Sequence, residues 1–232
     1  MSSNKKIYSI AIDGPAASGK STAAKGVAKE LGFLYIDTGA MYRAVTLLML
    51  QKHLNTKDIN DATKVLNECH IEENRDGKIF LNEVDVTERV REMDVSSNVS
   101  YACAHKPVRE KLVALQREIA KNDSVVMDGR DIGTVVLPDA DLKIYQIASV
   151  EARAQRRFLE NEEKGIKSTL EDIVADINSR DYIDSHRANS PLMKAADAIV
   201  LDTSNLTIEE EIDAIVSLFE KKVGKTWKTI EK

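Results

Sequence analysis

The chain has 232 residues, of which 43 % are apolar, 31 % charged and only 5 % aromatic. That composition excludes a disordered chain and leaves room for one sizeable α/β unit. A formal net charge of -5 argues against an electrostatic nucleic-acid binder, but an acidic chain can still gather arginines at one small-phosphate site.

Two cysteines, Cys69 and Cys103, lie outside any CxxC pair and are too few for a disulfide scaffold or a cysteine-rich zinc site. No segment has the length of a signal peptide or a membrane span, so a cytoplasmic protein with no membrane partner is expected.

In chain order, Ile7–Asp13 reads as a buried strand. "KSTAAKGVAKELG" follows as a helix with Gly32 as its C-cap, then "FLYID" as a strand and "AMYRAVTLLMLQKHL" as a helix. This β-α-β-α start predicts a parallel sheet with helices on its faces. His70–Arg91 differs: short apolar bursts flank Asp76-Gly77, a hairpin signal, and predict a small antiparallel insertion. Ser97–Lys121 returns to helix with a break near Pro107. "SVVMD" is a strand, "GRDIGTVVLPDA" a loop and "DLKIYQIAS" a strand. Two charged helices follow, "EARAQRRFLENEEKG", ending at Lys164-Gly165, and "LEDIVADINSRDYIDSHR". "AIVLDTS" is the last strand, and a helix capped by Thr207 closes the chain. No repeat or low-complexity linker divides it.

Gly14-Pro15-Ala16-Ala17-Ser18-Gly19-Lys20-Ser21 matches G-x-x-x-x-G-K-[ST] between a predicted strand and a predicted helix. Small residues let the backbone curl so that several N–H groups meet one anion, and the helix N-terminus adds its dipole. Lys20 then reaches the β- and γ-phosphates of a nucleoside triphosphate, and Ser21 offers its hydroxyl to Mg²⁺, directly or through water.

An acceptor site is read from arginines placed at strand ends and on helix faces. Thr38 and Arg43 in "DTGAMYR" follow the second strand, at the ligand edge of a parallel sheet. In "MDGRDIG", Gly129 permits close backbone approach, while Arg130 and Asp131 set a donor fork beside an acceptor. Arg180, Asp184 and Arg187 stand at i, i+4 and i+7, on one helical face. Arg153, Arg156 and Arg157 form a cluster that closes over a triphosphate. The four histidines lack metal-ligand spacing, and no Ser-His-Asp or Cys-His set is evident. At this level two alternatives stay open: a P-loop kinase for another acceptor (AMP, UMP, shikimate or a sugar acid) and a GTP-binding switch. For the switch the [NT]KxD guanine motif is missing, since "NTKDIN" has the wrong spacing.

"IAIDGPAASGKST", "YIDTGAMYRA", "KPVRE", "VVMDGRDIGTVVLPDAD", "SRDYIDSHRANSPL" and "ADAIVLDTS", in this order over nearly the whole chain, resemble the bacterial cytidylate kinases. The resemblance implies a three-layer α/β P-loop fold with a five-stranded parallel core, a nucleotide-binding insertion at about residues 63–105 with a small antiparallel sheet, and a short helical lid at about 153–168, all within one unit. It implies transfer from ATP, as its Mg²⁺ complex, to CMP or dCMP by a monomer. Gly14 to Thr22, with Pro15 among them, and Arg153, Arg156 and Arg157 would hold ATP. Thr38, Ser100, Arg109 and Asp131 would contact the cytosine end or lie beside it, Tyr42 and Gly129 would be further CMP contacts, and Arg180 and Asp184 would hold the ribose. Arg43, Arg130 and Arg187 would surround the acceptor phosphate, and Lys20, Arg130, Arg157 and Arg187 would serve the transfer itself. Ser21 stands where some relatives have glycine, and Thr38 where others have serine, which keeps the hydroxyl.

Overall fold

The computed structural model describes residues 6–163 and 165–227. Five strands, β1 (Ser9–Asp13), β2 (Leu34–Asp37), β6 (Val125–Gly129), β7 (Leu142–Ile147) and β8 (Ile199–Asp202), form one sheet in the order β2-β6-β1-β7-β8. Every adjacent pair is parallel. Alternation along the strands sends side chains to two cores. Ile10 and Ile12 pack with Val27, Leu31, Ile215 and Phe219 on one face. Ala11, Ile36 and Met127 pack with Met41, Leu47 and Leu112 on the other.

Helix α1 (Lys20–Leu31) and helix α8 (Ile208–Val223) supply the first face. Gly32, at φ +67, stops α1 with its N–H on the Ala28 carbonyl. Thr207 and Glu210 form a complete capping box at the start of α8. The second face carries α2 (Thr38–Gln51), α3 (Ile59–Leu66), α4 (Met93–Ala102) and α5 (Lys106–Ala120). Ten of the fourteen residues of α2 are buried, as its near-continuous apolar sequence requires. Pro107 sits in the first turn of α5, where a missing N–H costs nothing, so the expected break becomes the gap between α4 and α5.

The insertion is a three-stranded antiparallel sheet of β3 (Ile71–Glu73), β4 (Ile79–Leu81) and β5 (Val84–Asp85). Gly77 takes the left-handed conformation in the first turn. Asn82 and Glu83, both at positive φ, make the tight second turn, which matches strand twist. Ile71, Ile79 and Leu81 bury into the same core as α2. Helices α6 (Val150–Glu163) and α7 (Leu170–His186) pack over the phosphate loop through a small cluster around Ala154, Ile173 and Ile177.

Two expectations change. The loop assigned to 129–140 contains a π-helical turn at Ile132–Val136, organised by Asp13, whose carboxylate accepts the Ile132 and Gly133 N–H groups at 2.7 Å each. Helix α3 stands where no element was assigned; Asp58 caps it by accepting the Asn60 N–H. Lys164 lies outside the described residues; its neighbour Gly165 is at φ +68.

Phe219 is fully buried between α1, β1 and the Tyr8, Phe33 and Trp227 rings. Phe219→Ala is expected to lower the unfolding free energy by about 3–5 kcal/mol, and Thr207→Ala by about 1 kcal/mol. Urea unfolding followed by circular dichroism checks both.

Candidate active site

The carboxyl edge of the sheet opens into a cleft of about 680 Å³. At its centre the chain leaves β1 at Asp13 and turns through the phosphate loop into α1. Gly14 is obligatory, since a Cβ there would stand 2.1 Å from the Gln146 carbonyl oxygen. Gly19 takes φ +88 just before α1, and Ala17 to Thr22 line the cleft while Gly14, Pro15 and Ala16 run behind them. Lys20 is buried, its Nζ donating to the Pro15 carbonyl at 2.7 Å and the Ser18 hydroxyl at 3.2 Å. Burial, with Arg130 adding like-charge repulsion, pushes the Lys20 amine down to about 7. Ser21 Oγ donates to Asp128 Oδ2 at 2.9 Å, so a hydroxyl and a carboxylate meet at the helix N-terminus. That is the hard oxygen chemistry that suits Mg²⁺.

Across the cleft, Thr38 Oγ1 donates to the Asp128 carbonyl at 2.6 Å, over a bare Gly129 where a Cβ would stand 2.8 Å from that hydroxyl. The Arg109 guanidinium lies 5.1 Å from the Tyr42 ring centre, donates to the Cys103 carbonyl at 3.1 Å and is ion-paired to Asp131. Arg187 reaches the other Asp131 oxygen at 3.6 Å and Asp184 at 3.8 Å. Asp184 also accepts from Arg130 Nε at 2.9 Å. Burial opposes its ionisation, but Arg130 and Arg187 hold the Asp184 carboxyl below the ordinary range. Ser100 is buried on the same wall. Arg180 pairs with Asp176 at 3.8 Å. Four guanidinia thus stand against three carboxylates. Arg109 Nε, Arg180 Nε and Arg187 Nη2 are buried donors without a hydrogen-bond acceptor, a set that calls for an anion.

The three arginines of α6 part company. Arg156 lines the cleft, donating to the carbonyls of Ser18 at 3.3 Å and Thr203, and pairing with Glu211 at 3.4 Å. Arg157 lines it too, beside Glu160 at 3.3 Å. Arg153 does not reach it, which corrects its place among the ATP contacts. It is buried behind the loop, on the Ala16 carbonyl and Asp181, because that acidic partner and two backbone carbonyls compensate its charge. Arg187 also stands one residue beyond α7, as its C-cap, rather than within the helix.

The structure adds residues that the arginine pattern alone did not single out. Asp37 caps α2 through the Ala40 N–H and accepts from both Arg43 and Arg91, at 3.1 Å each. Burial opposes its charge, and the two guanidinia hold its carboxyl low. Arg91 comes from the insertion and lines the cleft. The visible signal for Asp13, Asp37 and Asp128 was an aspartate closing an apolar strand three times over; the register aligns Asp37 with Asp128 and Asp13 with Gly129.

A phosphate loop after the central strand of a 2-6-1-7-8 parallel sheet, sharing one cleft with buried guanidinium donors, marks a P-loop kinase. Residues 10–221 match the family model described as cytidylate kinase. The chain is 52 % identical over 219 residues to the cytidylate kinase of Lactobacillus gasseri, covering 93 % of this chain and 95 % of the relative. It is 50 % identical over 222 residues to that of Streptococcus pneumoniae, covering 94 % of this chain and all of the relative. The chain belongs to the cytidylate kinase family. Among solved structures, a protein from Eubacterium ventriosum shares the fold at a TM-score of 0.51 and 14 % identity, covering 93 % of this chain and 99 % of that one. No helix among the described residues is long and apolar enough to cross a membrane.

Glu73, on β3, accepts the Asp37 N–H with both oxygens at 3.2 Å and so ties the insertion to the core sheet. Burial pushes its carboxyl from 4.5 up to about 8; the Asp37 N–H opposes this, and the Asp37 and Asp128 charges reinforce it. Across that window the folded protein keeps a proton that the unfolded chain has released, so this contribution to stability falls as pH rises. Glu73→Gln is expected to remove that slope. Its melting temperature relative to the parent should climb from about pH 5 to about pH 8 in thermal scans; a constant difference would rule out Glu73 as the source.

Proposed function

We propose that the chain transfers the γ-phosphoryl group of ATP to CMP or dCMP, giving ADP and CDP or dCDP. The observation that carries this reading is Asp131 clamped between Arg109 and Arg187 beside buried guanidinium donors that lack an acceptor. A carboxylate there accepts from an exocyclic amino group, and the surplus of positive charge takes a phosphate. The family membership supports the same acceptor.

In the reaction, an acceptor-phosphate oxygen attacks the γ-phosphorus in line and ADP departs. That oxygen is already anionic, so no strong general base is needed, and alignment with charge neutralisation does the rest. Ala17 to Thr22 hold the donor phosphates with their backbone, and Lys20 reaches the β- and γ-oxygens. Arg43, Arg130 and Arg187 hold the acceptor phosphate, while Arg156 and Arg157 sit on the donor side. Thr38, Tyr42, Ser100, Arg109, Gly129 and Asp131 shape the base pocket, and Arg180 and Asp184 serve the sugar. Ser21 and Asp128 are the side chains that would hold Mg²⁺; when bound with ATP it neutralises charge on the β- and γ-phosphate oxygens. Residues 63–105 act as the acceptor-binding insertion and 153–168 as the lid. Both substrate sites come from one chain, which supports a monomer; the acidic net charge argues against a nucleic-acid partner, and the free thiols of Cys69 and Cys103 suit a reducing, cytoplasmic setting.

A coupled ADP-release assay with CMP, dCMP, UMP, AMP and no acceptor tests the reading. Turnover is expected with CMP and dCMP; turnover that ignores both would overturn it. UMP should be the poorer substrate by about 1–3 kcal/mol in kcat/KM, since its carbonyl meets Asp131 where cytosine offers an amino group. Arg187→Ala is expected to lower kcat on the order of 10²-fold or more while the KM for ATP moves little. Steady-state kinetics at saturating CMP measures this, and an unchanged kcat would remove Arg187 from the transition-state contacts.

A further inference from the structure

Both polar groups of the Ala16 backbone, in the phosphate loop, are held by side chains from outside the loop. Asp181 Oδ1, on α7, accepts the Ala16 N–H at 2.9 Å. Arg153 Nη1, on α6, donates to the Ala16 carbonyl at 2.9 Å, and the same nitrogen donates to Asp181 Oδ2 at 2.6 Å. A further donation from Arg153 Nε to the Ala148 carbonyl, at 3.1 Å, fixes the guanidinium in place. The next residue gives an independent apolar contact. Ala17 takes φ +56, a left-handed conformation that a residue with a Cβ rarely adopts. It packs against the Ala154, Ile173 and Ile177 cluster that joins α6 to α7. Backbone held in such a region persists where its surroundings over-determine it, and such positions gather at switches and ligand clamps.

The same helix carries acceptor machinery. Arg180 immediately precedes Asp181, and Asp184 follows one turn later; both line the cleft. Arg180 Nε is buried without an acceptor, and Asp184 holds Arg130 and Arg187. The peptide at Ala16 therefore cannot shift without disturbing the helix that positions the acceptor arginines.

We propose that the Asp181–Arg153 pair is a positioning clasp that couples the two substrate sites. Donor nucleotide on the phosphate loop raises affinity for the acceptor, and the acceptor raises affinity for the donor. Neither residue touches a substrate; both act through Ala16 and α7. In the clasped arrangement Ala17 to Thr22, Arg180 and Asp184 all line one cleft. Each substrate favours that arrangement, and linkage makes the effect reciprocal. The inference deepens the kinase reading above and rests on it.

The test is the Kd of CMP by titration calorimetry, with and without a saturating non-hydrolysable ATP analogue and Mg²⁺. It is run on the full chain and on Asp181→Ala, Asp181→Asn and Arg153→Lys. In the parent the analogue should tighten CMP about five-fold or more. In Asp181→Ala the tightening should fall below about two-fold. Asp181→Asn keeps an acceptor for the Ala16 N–H and loses the ion pair, so it should lie between them and remains readable if the alanine variant does not fold. Arg153→Lys keeps the charge and should retain part of the tightening. A parent without tightening overturns the proposal. So do variants that melt lower yet keep the full tightening, since the pair would then be a brace only. A parent that binds no CMP under either condition overturns the kinase reading, and the coupling with it.

Discussion

Charge taken out of water must be compensated, and at the carboxyl edge of this sheet that requirement organises the molecule. Asp37 is compensated by Arg43 and Arg91, Asp131 by Arg109 and Arg187, and Asp184 by Arg130 and Arg187. In each group the partners come from different elements, so no single segment can build the site. Arg91 brings in the insertion, Arg109 brings in α5, and Arg187 brings in the end of α7. An arginine buried with no carboxylate nearby would carry a desolvation cost that few local interactions offset. Carboxylates in equal number would leave nothing to attract an anion. The arrangement lies between those limits, with guanidinium donors in excess.

The same edge shows why strand ends, rather than loops alone, set the chemistry. The register places Asp13 and Gly129 side by side, and Asp37 beside Asp128. From there Asp13 organises the π-helical turn through two backbone N–H groups, and burial pushes its own carboxyl up to about 6 despite those bonds. Asp128 receives the Ser21 and Tyr35 hydroxyls and its carboxyl is likewise raised, by burial first and by Asp37 next. These are costly placements for acids, which explains why the chain supports each of them with several donors.

Much of this was legible in the sequence where the determinants are local. The phosphate loop follows from glycine spacing, the caps at Gly32 and Thr207 from residue type, and the face of Arg180 and Asp184 from helical periodicity. The hairpin at Gly77 follows from a turn signal. Arg153 could not be placed this way. Its spacing from Arg156 and Arg157 describes one cluster, but its position is decided by Asp181, 28 residues further along. Glu73 and Arg91 were equally opaque, because an ordinary glutamate in a short strand and an arginine in a single turn acquire meaning only when the insertion docks on Asp37. Helix α3 is short, and its first turn depends on one aspartate cap, which a period of 3.6 over eight residues hardly announces.

The excess of positive charge has a thermodynamic consequence for the protein without substrate. Burial and Arg130 push the Lys20 amine down, and the same two causes lower Arg180. Both groups therefore sit in surroundings that disfavour their charged forms until an anion arrives. An anion bound beside them offsets that penalty, and the relief appears as binding free energy that also stabilises the fold by mass action. Groups oriented in advance need no reorganisation when charge shifts between the donor and acceptor oxygens. The cleft is therefore less stable when empty for the same reason that it suits phosphoryl transfer when filled. Buried polar donors left without acceptors are a cost to the fold and, at this position, a standing attraction for an anion.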